Sequence, residues 1–412
     1  MAKNIAACRV SGDKNLISVL NLGQQELTGV FPRSVNEAIT SGPLELLWSA
    51  ESQLLQLGCS YDLDEMYGDN YGYRSGLNQS MVTHLSGKVA NLERKYGLGS
   101  GDCVIDIGSN DATTLKAYST KGLKRIGVDP TGRKFEKFYT GDIKLISDFF
   151  PTAKLMAAIG SAKVKVVTSI SMFYDLEDPV AFARSVASVL DRDGVWHLEQ
   201  SYMPSMIRLN SYDTICHEHL EYYSLHSIQH VMSRAGFKIL DVQMNGVNGG
   251  SFALTVARLE SALVPNQAVI DWLFEQELKM GFDTPAPFRK FESRVFAHRK
   301  ALRSLIEALN ADGKKVLGYG ASTKGNVVLQ FCQFTPKEIP FVAEINPDKF
   351  GAFTPGTHIP IISDAQAAAM KPDYYLVLPW HFKDGIVRRE QEFLSQGGKL
   401  IFPFPEIEIV GG

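Results

Sequence analysis

The chain is 412 residues long, which exceeds the size of one ordinary hydrophobic core, so two or three domains are expected. Hydrophobic residues make up 45% of it and charged residues 21%, as in a soluble globular protein and unlike a disordered one. The net charge of −3 gives no electrostatic footprint for nucleic acid. Since the sequence has no apolar run of about 18 residues and no signal-peptide core at its start, we expect a cytoplasmic protein with no membrane partner.

Three short strand-like stretches separated by turn residues predict a small β-rich module at the N-terminus. They are LISVLNLG (16–23), PLELLW (43–48) and LLQLG (54–58). Residues 79–96, beyond the module, have the apolar spacing of an amphipathic helix.

The stretch from Tyr61 to Asn78 is crowded with tyrosines, glycines and acids and has neither a helical nor a strand period. Tyr67, Tyr71 and Tyr73 are candidates to close over a ligand, because the glycines between them let such a loop fold back sharply. A packed surface loop is the alternative.

Residues 104–115, VIDIGSNDATTL, predict a buried strand, one tight glycine turn and the start of a helix. No second or third glycine completes the dinucleotide pattern, and an acidic turn repels phosphate. Such a turn suits a ligand with an ammonium group, a sulfonium and no phosphate, which describes S-adenosylmethionine (SAM). The candidates for the cofactor site here are Asp106, Gly108, Ser109 and Asn110.

Two later features lie where the nucleoside of SAM needs them. Lys124–Pro130 predicts a second strand ending in Asp129, about 20 residues after the glycine turn, where an acid commonly binds ribose hydroxyls. Asp148 offers a carboxylate to the adenine amino group, and Phe149 beside it offers a ring face. Helix capping and turn closure are the alternative roles of these acids.

Strands and helices alternate from residue 100 to about residue 260, and the last two predicted strands are joined by a glycine turn at 248–250. A closing hairpin at the end of a parallel sheet is typical of the class I SAM-dependent methyltransferase fold. It separates that fold from a dehydrogenase, whose sheet continues in parallel through crossover helices.

Residues 264–312 are predicted to be mainly helical, and a second α/β unit follows them. Its glycine turn at 318–326, GYGASTKGN, is neither a Walker A loop nor a complete dinucleotide fingerprint. Open backbone N–H groups, two hydroxyls and a lysine at a helix start favour an anion such as a diphosphate, with Ser322, Lys324 and Asn326 as candidates. A purely structural turn is the alternative.

Residues 213–225, DTICHEHLEYYSL, follow a predicted strand and therefore belong near the carboxyl edge of the central sheet, over the SAM methyl group. Methyl transfer to carbon needs a base that removes a proton α to a carbonyl. His219 can serve as that base, with Glu218 orienting it. A zinc site is the rival, although His217 and His219 lack a visible third ligand, and a hydrogen-bonded cluster without chemistry is the remaining alternative.

With these motifs the chain resembles the nucleotide-sugar C-methyltransferases of deoxysugar biosynthesis and is similar to the dTDP-sugar C-3 methyltransferases of antibiotic pathways. The resemblance extends over essentially the whole length, from VIDIGSND through I-x-H-E-H to GYGASTKGN. It implies three domains, SAM as methyl donor, and a nucleoside-diphosphate 4-keto-6-deoxyhexose held between the central and C-terminal domains. It also implies that His219 is the base, with Glu218 beside it and Tyr73 near the sugar.

One departure concerns a metal. The resemblance implies zinc bound by two C-x-x-C pairs in the N-terminal module, but the matching positions here are Cys8 with Ser11 and Ser49 with Ser52. A serine hydroxyl is a poor zinc ligand compared with a thiolate, so we expect the module to fold without a structural metal. The five scattered cysteines also give no disulfide framework.

A second departure is Cys216, which stands where the antibiotic-pathway enzymes carry a tyrosine. A thiol has neither the reach nor the acidity of a phenol. Either Tyr73 or Tyr222 does that work in this chain, or the chain acts on a different sugar.

The predicted α/β architecture comprises a β-rich N-terminal module (1–78), a Rossmann-like SAM-binding domain (79–262) and a helical linker with a second Rossmann-like domain (263–412). The predicted reaction is methyl transfer from SAM to the enolate carbon of a 4-keto sugar, with Asn248 among the sugar contacts. The alternatives are a SAM-dependent O- or N-methyltransferase and a binding protein that has kept the scaffold without the chemistry. The expected partners are a nucleotide sugar and no nucleic acid, and the chain is expected to be a monomer or a homodimer.

Overall fold

The N-terminal module is an antiparallel sheet accompanied by a short strand pair. The computed structural model describes residues 3–61 and 74–411. The strands of the module are β1 (Lys3–Asn4), β2 (Leu16–Glu26), β3 (Ser41–Ser49), β4 (Leu55–Leu57) and β5 (Cys59–Ser60). β2, β3 and β4 form a meander, and β1 pairs with β5. Since every second residue of β3 from Leu44 to Trp48 is buried, the sheet has one core face, and the predicted β-rich module is confirmed.

The central domain is built on a seven-stranded mixed sheet with helices between its strands. The strands in this part of the chain are β6 (Cys103–Ile107), β7 (Lys124–Val128), β8 (Ile143–Ile146), β9 (Val164–Ile170), β10 (Leu190–Ser201), β11 (Glu221–Tyr222), β12 (Phe237–Asn245) and β13 (Ser251–Arg258). The helices are α1 (Gln79–Tyr96), α2 (Thr113–Lys116), α3 (Ala153–Ile159), α4 (Pro179–Val189), α5 (Met203–Arg208) and α6 (Leu225–Arg234).

The order of the strands in that sheet is β12-β13-β10-β9-β6-β7-β8. β13 runs antiparallel to both of its neighbours, and the remaining pairs are parallel. All five residues of β6 are buried, as expected for a strand covered on both faces. The class I methyltransferase fold and its closing hairpin are therefore confirmed.

Two linker helices lead to the C-terminal domain. The elements of this part are α7 (Gln267–Met280), α8 (Ala286–Ala311), β14 (Val316–Tyr319), α9 (Thr323–Phe331), β15 (Val342–Glu344), β16 (Ile361–Ser363), α10 (Asp364–Ala369), β17 (Tyr374–Val377), α11 (Lys383–Arg389), α12 (Gln391–Ser395), β18 (Lys399–Phe402) and β19 (Glu408–Val410). The sheet order is β16-β15-β14-β17-β18-β19, with only β19 antiparallel among these described strands. This is the order of a doubly wound nucleotide-binding sheet, whose switch point lies between β14 and β17.

The three units are packed against one another. β11, although it follows the central strand β10 in the chain, pairs with β4 and completes the N-terminal sheet. That sheet shares a hydrophobic core with the C-terminal domain, and the rings of Trp48 and Phe288 lie 6.1 Å apart between their centroids. Among the helices in the described ranges, none is long and apolar enough to cross a lipid bilayer.

A buried carboxylate joins the linker to the central domain. Glu277 of α7 is 1% exposed and accepts hydrogen bonds from the backbone N–H groups of Leu225 (2.6 Å) and His226 (3.0 Å), at the start of α6. It also accepts from the Tyr202 hydroxyl at 2.7 Å. A carboxylate at a helix N-terminus satisfies amide groups that have no partner within the helix and complements the helix dipole.

Glu277→Ala is expected to destabilise the protein by about 3 kcal/mol, because it leaves two helix-terminal N–H groups and a hydroxyl buried without their acceptor. Urea unfolding followed by circular dichroism measures the effect as a lower midpoint. The matched control is Glu275→Ala on the same helix, where the side chain is 67% exposed and the midpoint should stay unchanged. Equal midpoints for the two variants would contradict the assignment.

Candidate functional site

A cavity of about 380 Å³ lies at the carboxyl edge of the central sheet. Its size is in the range of small-molecule sites. The central domain supplies most of the wall, and the C-terminal domain adds the start of α9. The polar residues on the wall include Asp106, Ser109, Asn110, Asp129, Asp148, Cys216, Glu218, His219, Asn248, Thr323 and Lys324.

The glycine turn after β6 is shaped for a closely approaching ligand. Gly108 has a φ of +73°, and a Cβ at this position would lie 3.2 Å from the Met172 side chain. Glycine is therefore the residue that this turn tolerates. The Ser109 hydroxyl is hydrogen-bonded to the Tyr139 hydroxyl at 2.7 Å, and Tyr139 in turn donates to the Asn110 carbonyl at 2.8 Å.

Two carboxylates flank the turn and differ in their surroundings. Asp129, at the end of β7, accepts hydrogen bonds from the N–H groups of Asn110 and Thr131, each at 2.7 Å. Asp106 is buried and accepts from the Thr168 hydroxyl at 2.5 Å. Burial, only partly offset by that hydrogen bond, raises the pKa of Asp106 to about 7. Asp129 fixes the turn, whereas Asp106 is poised between its charge states near neutral pH.

The cavity wall also includes the two residues predicted to face the adenine. Phe149 is 47% exposed and lines the wall beside Asp148. The Asp148 carboxylate accepts from the Phe149 N–H at 2.9 Å, which holds its pKa below the usual range. The structure thus brings all seven predicted cofactor residues to one cavity.

His219 lies on the cavity wall with a defined tautomer. Its Nδ1 lies 2.9 Å from the Thr214 carbonyl oxygen, which can only accept, so Nδ1 carries the proton and Nε2 carries the lone pair. Burial and the nearby Lys324 ammonium lower the pKa of His219 to about 3. The Tyr174 ring packs against the imidazole with 4.2 Å between centroids. The imidazole is therefore neutral and oriented for accepting a proton at Nε2.

Glu218 is not the group that orients His219, contrary to the sequence-based prediction, because the Thr214 carbonyl does so. The carboxyl group of Glu218 instead reaches the N-terminal module, where the Thr28 hydroxyl lies 3.5 Å from its Oε2. A Cβ on Gly29 would lie 2.3 Å from its Oε1, so glycine at 29 makes room for it. Burial raises the pKa of Glu218.

The other histidine of this segment, His217, has different contacts. His217 is buried, and its ring packs edge-on against Tyr61 of the N-terminal module, with 4.7 Å between centroids. It does not line the cavity. Of the two histidines in the segment, only His219 is therefore placed to act on a ligand.

Of the three residues predicted at the second glycine turn, only Lys324 lines the cavity, where its Nζ donates to the Asn248 carbonyl at 3.3 Å. Ser322 is the N-cap of α9 and accepts from the Gly325 N–H. The Asn326 amide is buried and donates to the Thr28 carbonyl at 2.7 Å. Glu344 already accepts from the Ala321 N–H at 2.9 Å, so a carboxylate of the chain itself takes a position that an anion would need.

None of the four predicted tyrosines is among the cavity residues that the structure describes. Tyr222 is buried in the hydrophobic core shared by the N-terminal and C-terminal units and does not line the cavity, because β11 directs it into that core. Tyr71 and Tyr73 lie outside the described residues, as does Tyr67.

Several residues that shape the site carry no signal in the sequence. Met172 and Tyr174 lie after the end of β9 at Ile170 and belong to no motif named in the sequence analysis. Thr214 acts through its backbone carbonyl, which no side-chain motif reveals. Gly29 is distant in the sequence and carries no local signal for its contact with Glu218.

Comparison with known proteins assigns three family models to the chain. They are described as "Putative zinc binding domain" (8–67), "Methyltransferase domain" (80–242) and "C-methyltransferase C-terminal domain" (246–405). The chain is 31% identical to C-methyltransferase NovU from Streptomyces niveus over 414 residues, covering 100% of this chain and 98% of NovU.

Two solved structures show a weaker likeness. Mitomycin 7-O-methyltransferase MmcR has 17% identity and a TM-score of 0.35, over 44% of this chain and 55% of that chain. Magnesium protoporphyrin IX methyltransferase from Synechocystis PCC 6803 has 17% identity and a TM-score of 0.32, over 43% of this chain and 79% of that chain. Neither likeness extends over half of this chain.

The residues around the first glycine turn fit SAM. The open turn at Gly108 admits a ligand to the backbone, Asp129 stands at the strand end beside it, and Asp148 with Phe149 offers a polar and an apolar contact. No cationic side chain is among the cavity residues at this turn in the described ranges, which suits a ligand that carries positive charge.

The matching positions in the N-terminal module do not fit zinc. Cys8 and Ser52 are hydrogen-bonded at 3.2 Å between Sγ and Oγ, and Ser11 and Ser49 at 3.5 Å between their hydroxyls. The four side chains thus converge, but they offer one thiol and three hydroxyls, which is far from the thiolate and imidazole set of a structural zinc site. Elsewhere in the described ranges, no group of three or more His, Cys, Asp or Glu is arranged to hold a metal.

Proposed function

This chain belongs to the C-methyltransferase family represented by NovU and is a SAM-dependent methyltransferase, and we propose that it methylates the carbon next to the ketone of a nucleoside-diphosphate 4-keto-6-deoxy sugar. The observation that carries the proposal is one cavity that joins a SAM-type glycine turn, an oriented neutral histidine and a lysine of the C-terminal domain. We also propose that the domains divide after residues 78 and 262.

His219 is the proposed base. Its Nε2 accepts the proton from the carbon α to the ketone, while the Nδ1–H bond to Thr214 keeps the ring from rotating. The negative charge that develops on the sugar favours the imidazolium, which offsets the low pKa of the resting histidine. A base must be unprotonated at the working pH, and Nε2 of His219 meets this requirement.

SAM, when bound, supplies a methyl group on a sulfonium as the electrophile. Asp106, Gly108 and Asp129 are proposed to hold its amino-acid and ribose parts, and Asp148 with Phe149 its adenine. Holding the nucleophilic carbon about 3 Å from the methyl group removes most of the entropy cost of encounter. The chain's part in the transfer step is thus placement of the two reactants.

The nucleotide end of the sugar is proposed to lie toward the C-terminal domain. Ligands of doubly wound sheets bind outside the carboxyl ends of the strands at the switch point, here between β14 and β17. Lys324, at the start of α9, and Asn248, with which it is hydrogen-bonded, both line the cavity that also contains His219. Lys324 is therefore the proposed cation for the diphosphate.

The base assignment predicts that the enzyme catalyses exchange of a carbon-bound sugar proton with deuterated water in the absence of SAM. His219→Asn should abolish both exchange and turnover while leaving S-adenosylhomocysteine affinity unchanged in calorimetry, because the substitution removes the acceptor nitrogen without touching the first glycine turn. Proton NMR of the sugar measures the exchange. Turnover without any exchange in the wild type would favour O- or N-methylation, and full exchange in the variant would exclude His219.

We also propose that the N-terminal module is metal-free. Mass spectrometry of metals in the purified protein should find zinc near zero per chain, and a chelator should leave the melting temperature unchanged. The combined variant Ser11→Cys, Ser49→Cys, Ser52→Cys provides the control, because four converging thiolates should bind one zinc and raise the melting temperature. Stoichiometric zinc in the wild type would overturn this proposal.

A further inference from the structure

The side chain of Glu218 has no part in orienting the base, so its place on the cavity wall needs another explanation. It lies in a slot formed by Thr28 and Gly29 of the N-terminal module and by α9 of the C-terminal domain, whose Thr323 hydroxyl would lie 3.6 Å from a Cβ on Gly29. Its segment places it next to His219, and both line the same cavity. Glu218 thus neighbours the base in the chain, and both residues contribute to the cavity wall.

Among the described residues, the slot contains no close cation for this carboxyl group. No described Lys, Arg or His nitrogen lies within 4.0 Å of a Glu218 oxygen, whereas the buried acid Glu199 has two such partners. Thr28 and Gly29 face it without charge. The titratable or charged groups around it on the packed elements are Cys216, His219 and Tyr222 of its own segment, Asp175 after β9 and Lys324 of α9.

Glu218 is partly buried, and a carboxylate withdrawn from water without a paired cation is costly, so such a site favours the protonated acid. Burial accordingly raises the pKa of Glu218, although hydrogen bonds from its own backbone N–H and from the Cys216 and Thr28 side chains oppose the shift. A protonated carboxylic acid has one O–H donor, whereas a carboxylate can only accept.

The proposed reaction creates a need for such a donor. When Nε2 of His219 takes the proton, the C–H electron pair forms the new C–C π bond and the carbonyl π pair moves onto the ketone oxygen as an enolate. The resting imidazole is a weak base, so proton removal is feasible only if that oxygen is stabilised. Cys216 is a buried neutral thiol and a weak donor.

We propose that Glu218 acts as a neutral carboxylic acid whose O–H donates a hydrogen bond to the ketone oxygen of the sugar and to the enolate oxygen formed from it. This inference rests on the proposed function, because it presupposes a ketone beside the methylated carbon. The proton stays on Glu218 during enolate formation. With SAM bound, the enolate carbon would then form its bond to the methyl group as the methyl–sulfur bond breaks with its electron pair left on sulfur, and the ketone would be restored.

The test is solvent exchange of the sugar proton without SAM, measured by NMR for wild type, Glu218→Gln and Glu218→Ala. Gln keeps an N–H donor of the same reach and should retain at least about one tenth of the exchange rate, whereas Ala should lose about 100-fold or more. S-adenosylhomocysteine affinity, measured for each variant, identifies any that fails to fold. If Gln is as defective as Ala, the donor role is excluded.

The pH dependence provides a second readout that a structural role would not move. Because the protonated acid is the donating form, the wild-type exchange rate should fall as the pH rises through the raised pKa of Glu218. That alkaline limb should disappear in Glu218→Gln, whose amide does not titrate, and should persist in Glu177→Gln, which alters a half-exposed carboxylate outside the cavity. Persistence of the limb in Glu218→Gln would overturn the inference. Absence of exchange in the wild type would instead count against the proposed function.

Discussion

The site depends on one stretch, residues 213–222, which contacts all three units of the molecule. At its start the Trp380 indole N–H of the C-terminal domain donates to the Asp213 carboxylate at 2.7 Å. In its middle Glu218 occupies the slot beside Gly29, and at its end β11 pairs with β4. The Leu220 N–H donates to the Tyr174 carbonyl at 2.7 Å and ties the stretch to the central domain. All three units of the chain therefore position the base His219, and the central domain does not do so alone.

The two glycine turns of the chain show how similar backbones acquire different roles. In the central domain Asp129 accepts from the Asn110 N–H and still lines the cavity. In the C-terminal domain Glu344 accepts from the Ala321 N–H in the corresponding way, but it lies away from the cavity. Glu344 occupies the second turn. The part of that turn that faces the cavity is therefore the start of α9, with Lys324. The first turn therefore contributes an acidic side chain to the cavity, whereas the second turn contributes a lysine.

The sequence alone was sufficient to predict the features whose signal is local. Buried apolar runs predicted β6 and β7, and the seven cofactor residues lie at the ends of such runs, so a shared sheet edge brings them together. Predictions failed for side chains that contact a segment distant in the sequence. Asn326 looks like a phosphate ligand in its motif, yet it bonds to Thr28, and Glu218 looks like a partner of His219, yet it faces Gly29. Such contacts depend on how the domains pack, and a single sequence carries no local mark of them.

A single cavity is proposed to accept SAM at its acidic turn and a nucleotide sugar toward its C-terminal side. The decisive experiment is calorimetric titration with S-adenosylhomocysteine, followed by dTDP-, GDP- and CDP-4-keto-6-deoxyhexoses added to the complex. We expect both ligands to bind together and one nucleotide to be clearly preferred. Binding of S-adenosylhomocysteine with no response to any of the sugars would contradict the nucleotide-sugar acceptor, and binding of neither would contradict the assignment of the cavity itself.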